Sequence, residues 1–297
     1  MPEIPEIEGL LTYVTPRLSG SVITDVQVGA ISAIKTADPP VSALRGCRVI
    51  GLQRFGKFLV LDLVDPDGSP LYLAIHLARA GWLAWSDSPS RQPVRMGRGP
   101  LAARLTFADD GGSVVGGFSL TEAGTQKRLA VYVVHDPAEV PGIARLGPDP
   151  LADTFTAQSL ADILAAAGRR HLKTVLRDQS VLAGVGNAYS DEILHKARLS
   201  PAAGADSLTD EQRAALFAAL ESVLAQAVTS ARELPPSELK DGKRSSMAVH
   251  GRTGQPCPVC GDTVREVASA DSSFQYCPTC QTGGKPLADR RLSRLLK

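Results

Sequence analysis

Residues 173–201 read KTVLRDQSVLAGVGNAYSDEILHKARLSP, and the fold turns on how this stretch is taken. Gly184 and Gly186 flank Val185, Asn187 follows, and helical stretches lie on both sides. A dinucleotide loop needs G-x-G-x-x-G after a clean strand, and neither condition is met. The other reading is two helices joined by a tight glycine turn. Glycine lets a backbone approach a phosphate closely, and the N-terminus of the following helix supplies N–H donors. Asn187 adds a side-chain amide and Lys173 a charge. A glycine turn that serves packing alone fits the same residues, so a nucleic-acid grip and plain packing both stay open here.

Upstream of this stretch the pattern changes twice. Residues 2–18, PEIPEIEGLLTYVTPRL, read as a helix: Pro2 and Pro5 suit a first turn, and Glu3, Glu6 and Glu8 suit the positive end of its dipole. From about residue 20 to 135, short runs with period-2 character follow, among them CRVIGLQRF, KFLVLDLV, PLYLAIHL and RLAVYVVH. Turn signals such as DPDG and DDGG separate them. That pattern predicts an antiparallel sandwich or barrel. HDPAEVPGIARLGPDPLAD (135–153) reads as a proline-rich linker. Residues 156–232 show helical periodicity, and 233–249 read as a polar loop.

Downstream lie four of the five cysteines. CPVC (257–260) and CPTC (277–280) are separated by sixteen residues, 261–276. Two C-x2-C knuckles at this spacing predict one tetrahedral zinc ion held by Cys257, Cys260, Cys277 and Cys280. A closed four-thiolate shell leaves no open position, so the zinc is structural rather than catalytic. Cys47, alone in RGCRVI, reads as a small buried apolar residue. Over the 297 residues the net charge is only +1, yet residues 240–297 carry ten Lys/Arg against five Asp/Glu, a local balance of +5. A basic end of this kind binds phosphates locally or is simply solvated. No signal-peptide pattern is seen and no apolar run reaches a membrane span, so a cytoplasmic chain without a membrane partner is expected.

Together, PEIPEIE at the start, the lysine of RFGK, the DQ-x-x-x-x-GVGNAYSDEIL element and a ribbon ending in CQ resemble the formamidopyrimidine-DNA glycosylase / endonuclease VIII family. The resemblance spans essentially the whole chain in the same order. It implies an α+β multi-domain fold. An N-terminal β-sandwich with its helix (1–140) precedes a helical domain with a helix–two-turns–helix element (141–250) and a zinc ribbon (251–297). It also implies that Pro2, exposed by removal of Met1, is the amine nucleophile, Glu3 the acid/base, and Glu6 its supporting carboxylate. Lys57 is implied as a phosphate contact and catalytic partner. Lys173, Asn187, His76, Arg79 and Arg128 fall at DNA-binding positions. The implied partner is damaged double-stranded or bubble DNA, taken by a monomer in a cleft between lobes, with loop 233–249 closing over a flipped base.

Three positions depart from the family pattern, two of them in the loops from which, the resemblance implies, side chains enter the hole left by an extruded base. Arg79, in HLARAGW (76–82), stands where a Met is usual. Leu129 follows Lys127 and Arg128 in EAGTQKRLAVY (122–132), where a Phe is usual. Ser272 replaces an Arg in the ribbon. The implied activity is a DNA glycosylase with AP lyase chemistry, because Pro2, Glu3, Glu6 and Lys57 are kept. The alternative is a DNA-binding paralogue that binds or cleaves abasic sites and excises little or no base. A zinc-ribbon protein acting on RNA or a protein partner would explain the C-terminus but not the N-terminus.

Overall fold

The computed structural model describes residues 1–97, 99–268 and 273–288, so Ser272 lies outside the described residues, as does the end of the basic tail. Two compact units divide the chain: Met1–Leu146 with Val228–Lys240, and Gly147–Ala227 with Asp241–Lys297. The segments 141–250 and 251–297 expected from the sequence thus fall largely within one unit. Residues 228–240 join the N-terminal unit because Ala231 and Leu239 sink into its core.

The first unit opens with helix α1, Ile4–Leu18. Glu3 is its N-cap in a reciprocal capping box with Glu6, and Pro5 sits in the first turn, where its missing N–H costs nothing. Ile7, Leu10, Val14 and Leu18 recur at three- and four-residue spacing and are all buried in one core cluster. Gly9 faces the backbone of Ala231 so closely that a Cβ there would lie 2.6 Å from its carbonyl oxygen. Only glycine fits that approach.

Eight antiparallel strands follow: β1 Val22–Val28, β2 Arg48–Phe55, β3 Phe58–Val64, β4 Pro70–His76, β5 Gly81–Ser86, β6 Leu101–Ala108, β7 Val114–Glu122 and β8 Ala130–Val134. Their order is β5-β7-β6-β1-β2-β3-β4-β8. β1 and β2 meet only through the Val22↔Arg48 pair, so the sheet folds there into two four-stranded layers. These are the layers of the sandwich. β3 is buried on both faces: Leu59, Leu61 and Leu63 enter the main core, while Phe58 and Val60 pack with Val140 and Ile143. Hence its continuous apolar run rather than strict alternation. Val140 and Ile143 come from the stretch read as a linker. They flank and occupy a short helix α2, Pro141–Ala144, which docks this segment onto β3.

The second unit is helical. It contains α3 Ala157–Ala167, capped by Thr156, α4 Leu172–Arg177, α5 Asn187–Lys196 and the start of α6, Asp210–Arg232. Among the described residues one helix, α6, is long and apolar enough to cross a membrane, which corrects the expectation that no run reaches that length. Its buried residues Leu216, Leu220, Leu224, Val228 and Ala231 form one stripe, the pattern of a helix packed in a protein core. The segment 233–249, expected to be a loop, contains helix α7, Leu239–Ser246. Leu239, Met247 and Val249 are buried at its ends, and Asp241 and Arg244 suit the two poles of its dipole. Hairpin β9 Arg265–Ala268 and β10 Ser273–Tyr276, with α8 Pro278–Thr282, completes the unit.

Candidate active site and metal centre

In the first unit the strand register gathers the predicted residues at one end of the sandwich. Phe58 pairs with His76, and His76 with Ala130, so the β2–β3 turn, the end of β4 and the start of β8 are neighbours. Gly81 pairs with Glu122, and Thr121 with Leu101, which brings the β4–β5 turn, the β7–β8 loop and the start of β6 to the same place. Lys57, His76, Arg79 and Arg128 therefore share one rim. α1 is tied to that rim by Glu8, whose carboxylate takes Arg54 at 2.8 Å and Arg232 at 2.6 Å. Burial alone would raise the Glu8 carboxyl, but the hydrogen bonds and charges of the two arginines outweigh it and hold its pKa below the usual value.

Pro2, Glu3 and Glu6 are all buried. The Glu6 carboxylate accepts the Glu3 N–H at 2.8 Å, which fixes the first turn and the direction of the Glu3 side chain. A carboxylate pair held this way behind an N-terminal residue is equipped to give and take a proton there. Lys57 is a turn residue, between Gly56 and Phe58, rather than a strand residue, and it is only 7% exposed. It is not the solvated surface lysine that its residue type favours. His76 lies with its ring 4.8 Å from that of Phe58. Burial, and after it the Lys57 charge, pushes His76 down to about 4.

The departures take on a geometric meaning here. Arg79 is exposed on the 77–80 turn, next to Ala78, whose φ is +53°. Lys127 and Arg128 are exposed on the β7–β8 loop. Leu129 is 1% exposed and belongs to the main core. It is held there because buried Glu122 accepts the N–H groups of Arg128 at 2.7 Å and Leu129 at 3.0 Å. This loop thus presents cations and no large apolar side chain.

In the second unit Gln179 staples the glycine turn. Its side chain accepts the Gly184 N–H at 2.9 Å and donates to the Val185 carbonyl at 2.7 Å, while Gly184 takes φ +80°. Asn187 opens α5 and donates to the Ser273 carbonyl at 2.8 Å. Its Oδ1 is buried with no hydrogen-bond partner among the described residues. Lys173 is turned inward. Its ammonium donates to the Asn187 carbonyl at 2.6 Å, to Ser190 Oγ at 2.8 Å and to Asp191 Oδ1 at 2.6 Å. The expected phosphate contact of Lys173 therefore gives way to a positioning role. The lysine is buried, and its charge is spent on Asp191 and on the turn that seats Asn187.

The four ribbon sulfurs all lie within 4.8 Å of one another, with Cys257 and Cys280 3.9 Å apart and Cys260 and Cys277 3.3 Å apart. A tetrahedron with Zn–S bonds of about 2.3 Å has edges of about 3.8 Å, so the donor set fits one structural zinc ion. No disulfide competes, since all five cysteines are free. Reading residue types missed what surrounds this site. His195 Nε2 is 3.2 Å from Cys257 Sγ, and Gln281 bridges the Cys277 N–H at 2.9 Å to the Leu199 carbonyl at 2.9 Å. The usable signal was spacing: Asn187, Asp191 and His195 recur every four residues on a buried helix.

Residues 1–115 match the formamidopyrimidine-DNA glycosylase N-terminal domain, 146–234 its H2TH domain, and 254–283 the zinc finger found in FPG and IleRS. A formamidopyrimidine-DNA glycosylase of Heliobacterium modesticaldum is 36% identical over 294 residues, which cover 95% of this chain and 100% of that one. An uncharacterized formamidopyrimidine-DNA glycosylase-like protein of Mycobacterium tuberculosis is 58% identical over 160 residues, 54% of this chain and 99% of its own. The crystal structure of the MutM (Fpg) protein from Thermus thermophilus matches with TM-score 0.77 at 30% identity, covering 96% of this chain and 100% of that one. With three domains matched in order and relatives aligned end to end, the chain belongs to the formamidopyrimidine-DNA glycosylase family.

Proposed function

We propose that the protein is a base-excision repair DNA glycosylase with AP lyase activity, acting as a monomer on damaged double-stranded or bubble DNA. The observation that carries this reading is the buried Glu3–Glu6 pair directly behind Pro2. Once Met1 is removed, Pro2 is a secondary amine; α-amino groups ordinarily have a pKa of about 8, so such an amine offers a usable unprotonated fraction at neutral pH where a lysine does not. Its lone pair attacks C1′ of the damaged nucleotide, and the C1′–base bond breaks as the base leaves. The ring C1′–O4′ bond opens as Glu3 delivers a proton to O4′, and loss of the amine proton leaves an iminium. Loss of a C2′ proton then expels the 3′ phosphate by β-elimination, and water releases the enzyme. Lys57, Arg79, Arg128 and the N-terminus of α5 with Asn187 take phosphates.

A second reading is favoured by one observation. Leu129 is buried and Arg79 stands in a turn at the same rim, so these two expected base-probing positions offer no large apolar group. That suits a protein which prefers abasic sites, where less unstacking is needed, over intact damaged bases.

Borohydride trapping on an abasic-site duplex tests both, with intact-mass analysis of the N-terminus. A covalent adduct on Pro2 of a Met1-free protein is expected, lost in Pro2→Gly and strongly reduced in Glu3→Gln. No adduct from a Met1-free, zinc-loaded, DNA-binding protein would sink the lyase reading and leave a binding paralogue.

A further inference from the structure

The rim lacks exposed apolar side chains on the two loops expected to supply them, yet two large apolar groups stand mostly in solvent beside it. Met96 is 62% and Ile31 68% exposed. Their backbones are neighbours: the Gly97 N–H donates to the Gly29 carbonyl at 2.8 Å, one residue from Met96 and two from Ile31. The loop carrying Met96 is also pinned where Val94 N–H donates to Gln27 Oε1 at 2.9 Å. The placement is fixed by register, since β1 ends and β6 begins at this point, Val28 pairing with Ala103 and Leu101 with Thr121. A small cleft lined by Ser32, Pro100, Lys127 and Leu129 joins these segments directly to the β7–β8 loop.

Charge says what this knob fits. Residues 88–108 contain no Asp or Glu and four arginines, and Glu122, which lines the small cleft, is buried and occupied by backbone N–H groups. Arg95 adjoins Met96 in the sequence, Lys127 lines the cleft beside it, and Arg79 and Arg128 are exposed on the neighbouring loops of the rim. An apolar knob beside such cations is complementary to a nucleic-acid strand with unstacked bases: bases meet the knob and phosphates meet the cations. We propose that Met96, with Ile31 beside it, is this protein's apolar contact for DNA bases unstacked at the lesion. The inference rests on the glycosylase/lyase reading for its substrate and adds a base-contacting residue pair outside the reaction centre. It also states where discrimination of damaged from intact duplex resides: in the β5–β6 loop rather than in the β7–β8 loop.

The test uses full-length, zinc-loaded protein and an abasic-site duplex with 2-aminopurine opposite the lesion, alongside an intact duplex of equal length. Wild type should raise 2-aminopurine fluorescence on binding the abasic duplex. The Met96→Ser/Ile31→Ser double variant, altered only at exposed positions, should lose most of that rise and bind the abasic duplex about tenfold more weakly. Its affinity for intact duplex should change less than about twofold, because cations carry that binding. A double variant that matches wild type in fluorescence and affinity overturns the contact, while a wild-type borohydride adduct beside it leaves the lyase reading standing. The reverse pattern, no wild-type adduct but a fluorescence rise that the variant loses, overturns the lyase reading and supports the contact.

Discussion

Burial pushes the His76 imidazole down to about 4, and the Lys57 ammonium acts in the same direction. At neutral pH the ring is therefore uncharged, and at the DNA-facing rim it contributes a hydrogen-bonding group rather than a cation. The same shift links stability to pH. The unfolded imidazole titrates near its ordinary 6.5, above the folded value, so between the two the unfolded state binds more protons. The stabilising contribution is complete above pH 6.5 and is lost as pH falls toward 4. Trp82 and Trp85, the only two tryptophans, both lie in β5 of the first unit and report its unfolding. Denaturant melts followed by their fluorescence should show wild type losing up to about 3 kcal/mol between pH 7 and pH 4 from this group. His76→Gln should flatten that slope, whereas an identical slope in the variant would mean that the ring is solvated. Another single-residue lesson concerns Leu129. The family pattern puts a Phe at this position, and here two backbone hydrogen bonds, from Arg128 and Leu129 N–H to Glu122, hold the leucine in the core.

At the scale of elements, α5 decides how the second unit holds together. Its polar line fastens the helix three times: Asn187 to the Ser273 carbonyl, Asp191 Oδ2 to His250 Nδ1 at 2.7 Å, and His195 to Cys257 Sγ. Glu192 adds three backbone N–H acceptances from Ala248, Val249 and His250, the run that leads into the first knuckle. In the tautomer protonated on Nε2, His195 would donate to the Cys257 thiolate once zinc is held, an outer-layer contact that orients a ligand. His195→Phe keeps most of the volume and removes the donor, so zinc affinity measured by chelator competition should fall by about tenfold. Unchanged affinity would reduce His195 to packing. Cys277→Ser should lose zinc and DNA binding together, and a zinc-free variant that still binds DNA would separate the ribbon from the grip. Much of this was legible beforehand. The cysteine spacing, the glycine turn and the acids of the first helical turn are local patterns with local causes. The direction of Lys173 was not, because Asp191 lies eighteen residues away and meets it only after α4 and α5 pack. Helix α7 was hidden for a similar reason: its sequence, LKDGKRSS, is a poor helix former, and burial of Leu239 supports it.

For the whole molecule, a net charge of +1 means that no long-range field draws DNA in, so binding must come from where the cations are placed. Many basic side chains are neutralised in pairs, such as Arg45 with Asp25, Arg48 with Asp110, Arg170 with Asp178 and Arg213 with Asp210. The rim differs. Lys127 donates to the backbone carbonyl of Glu122, whose carboxylate is taken up by the Arg128 and Leu129 N–H groups, and Lys127 and Arg128 are both exposed. Each such cation that seats on a phosphate releases counterions, worth about 0.9 in the slope of log K against log salt on duplex DNA. Lys127→Ala/Arg128→Ala should therefore weaken binding to every duplex alike and make that slope shallower by about 1.8, since 2 × 0.9 is the loss of two phosphate contacts. Loss of Met96 should leave the slope alone and change only the preference for unstacked sites. A salt titration of wild type and both variants separates the two mechanisms. A slope unmoved by removing both charges would place the phosphates elsewhere on the chain and would remove the charge argument for seating a strand at this rim.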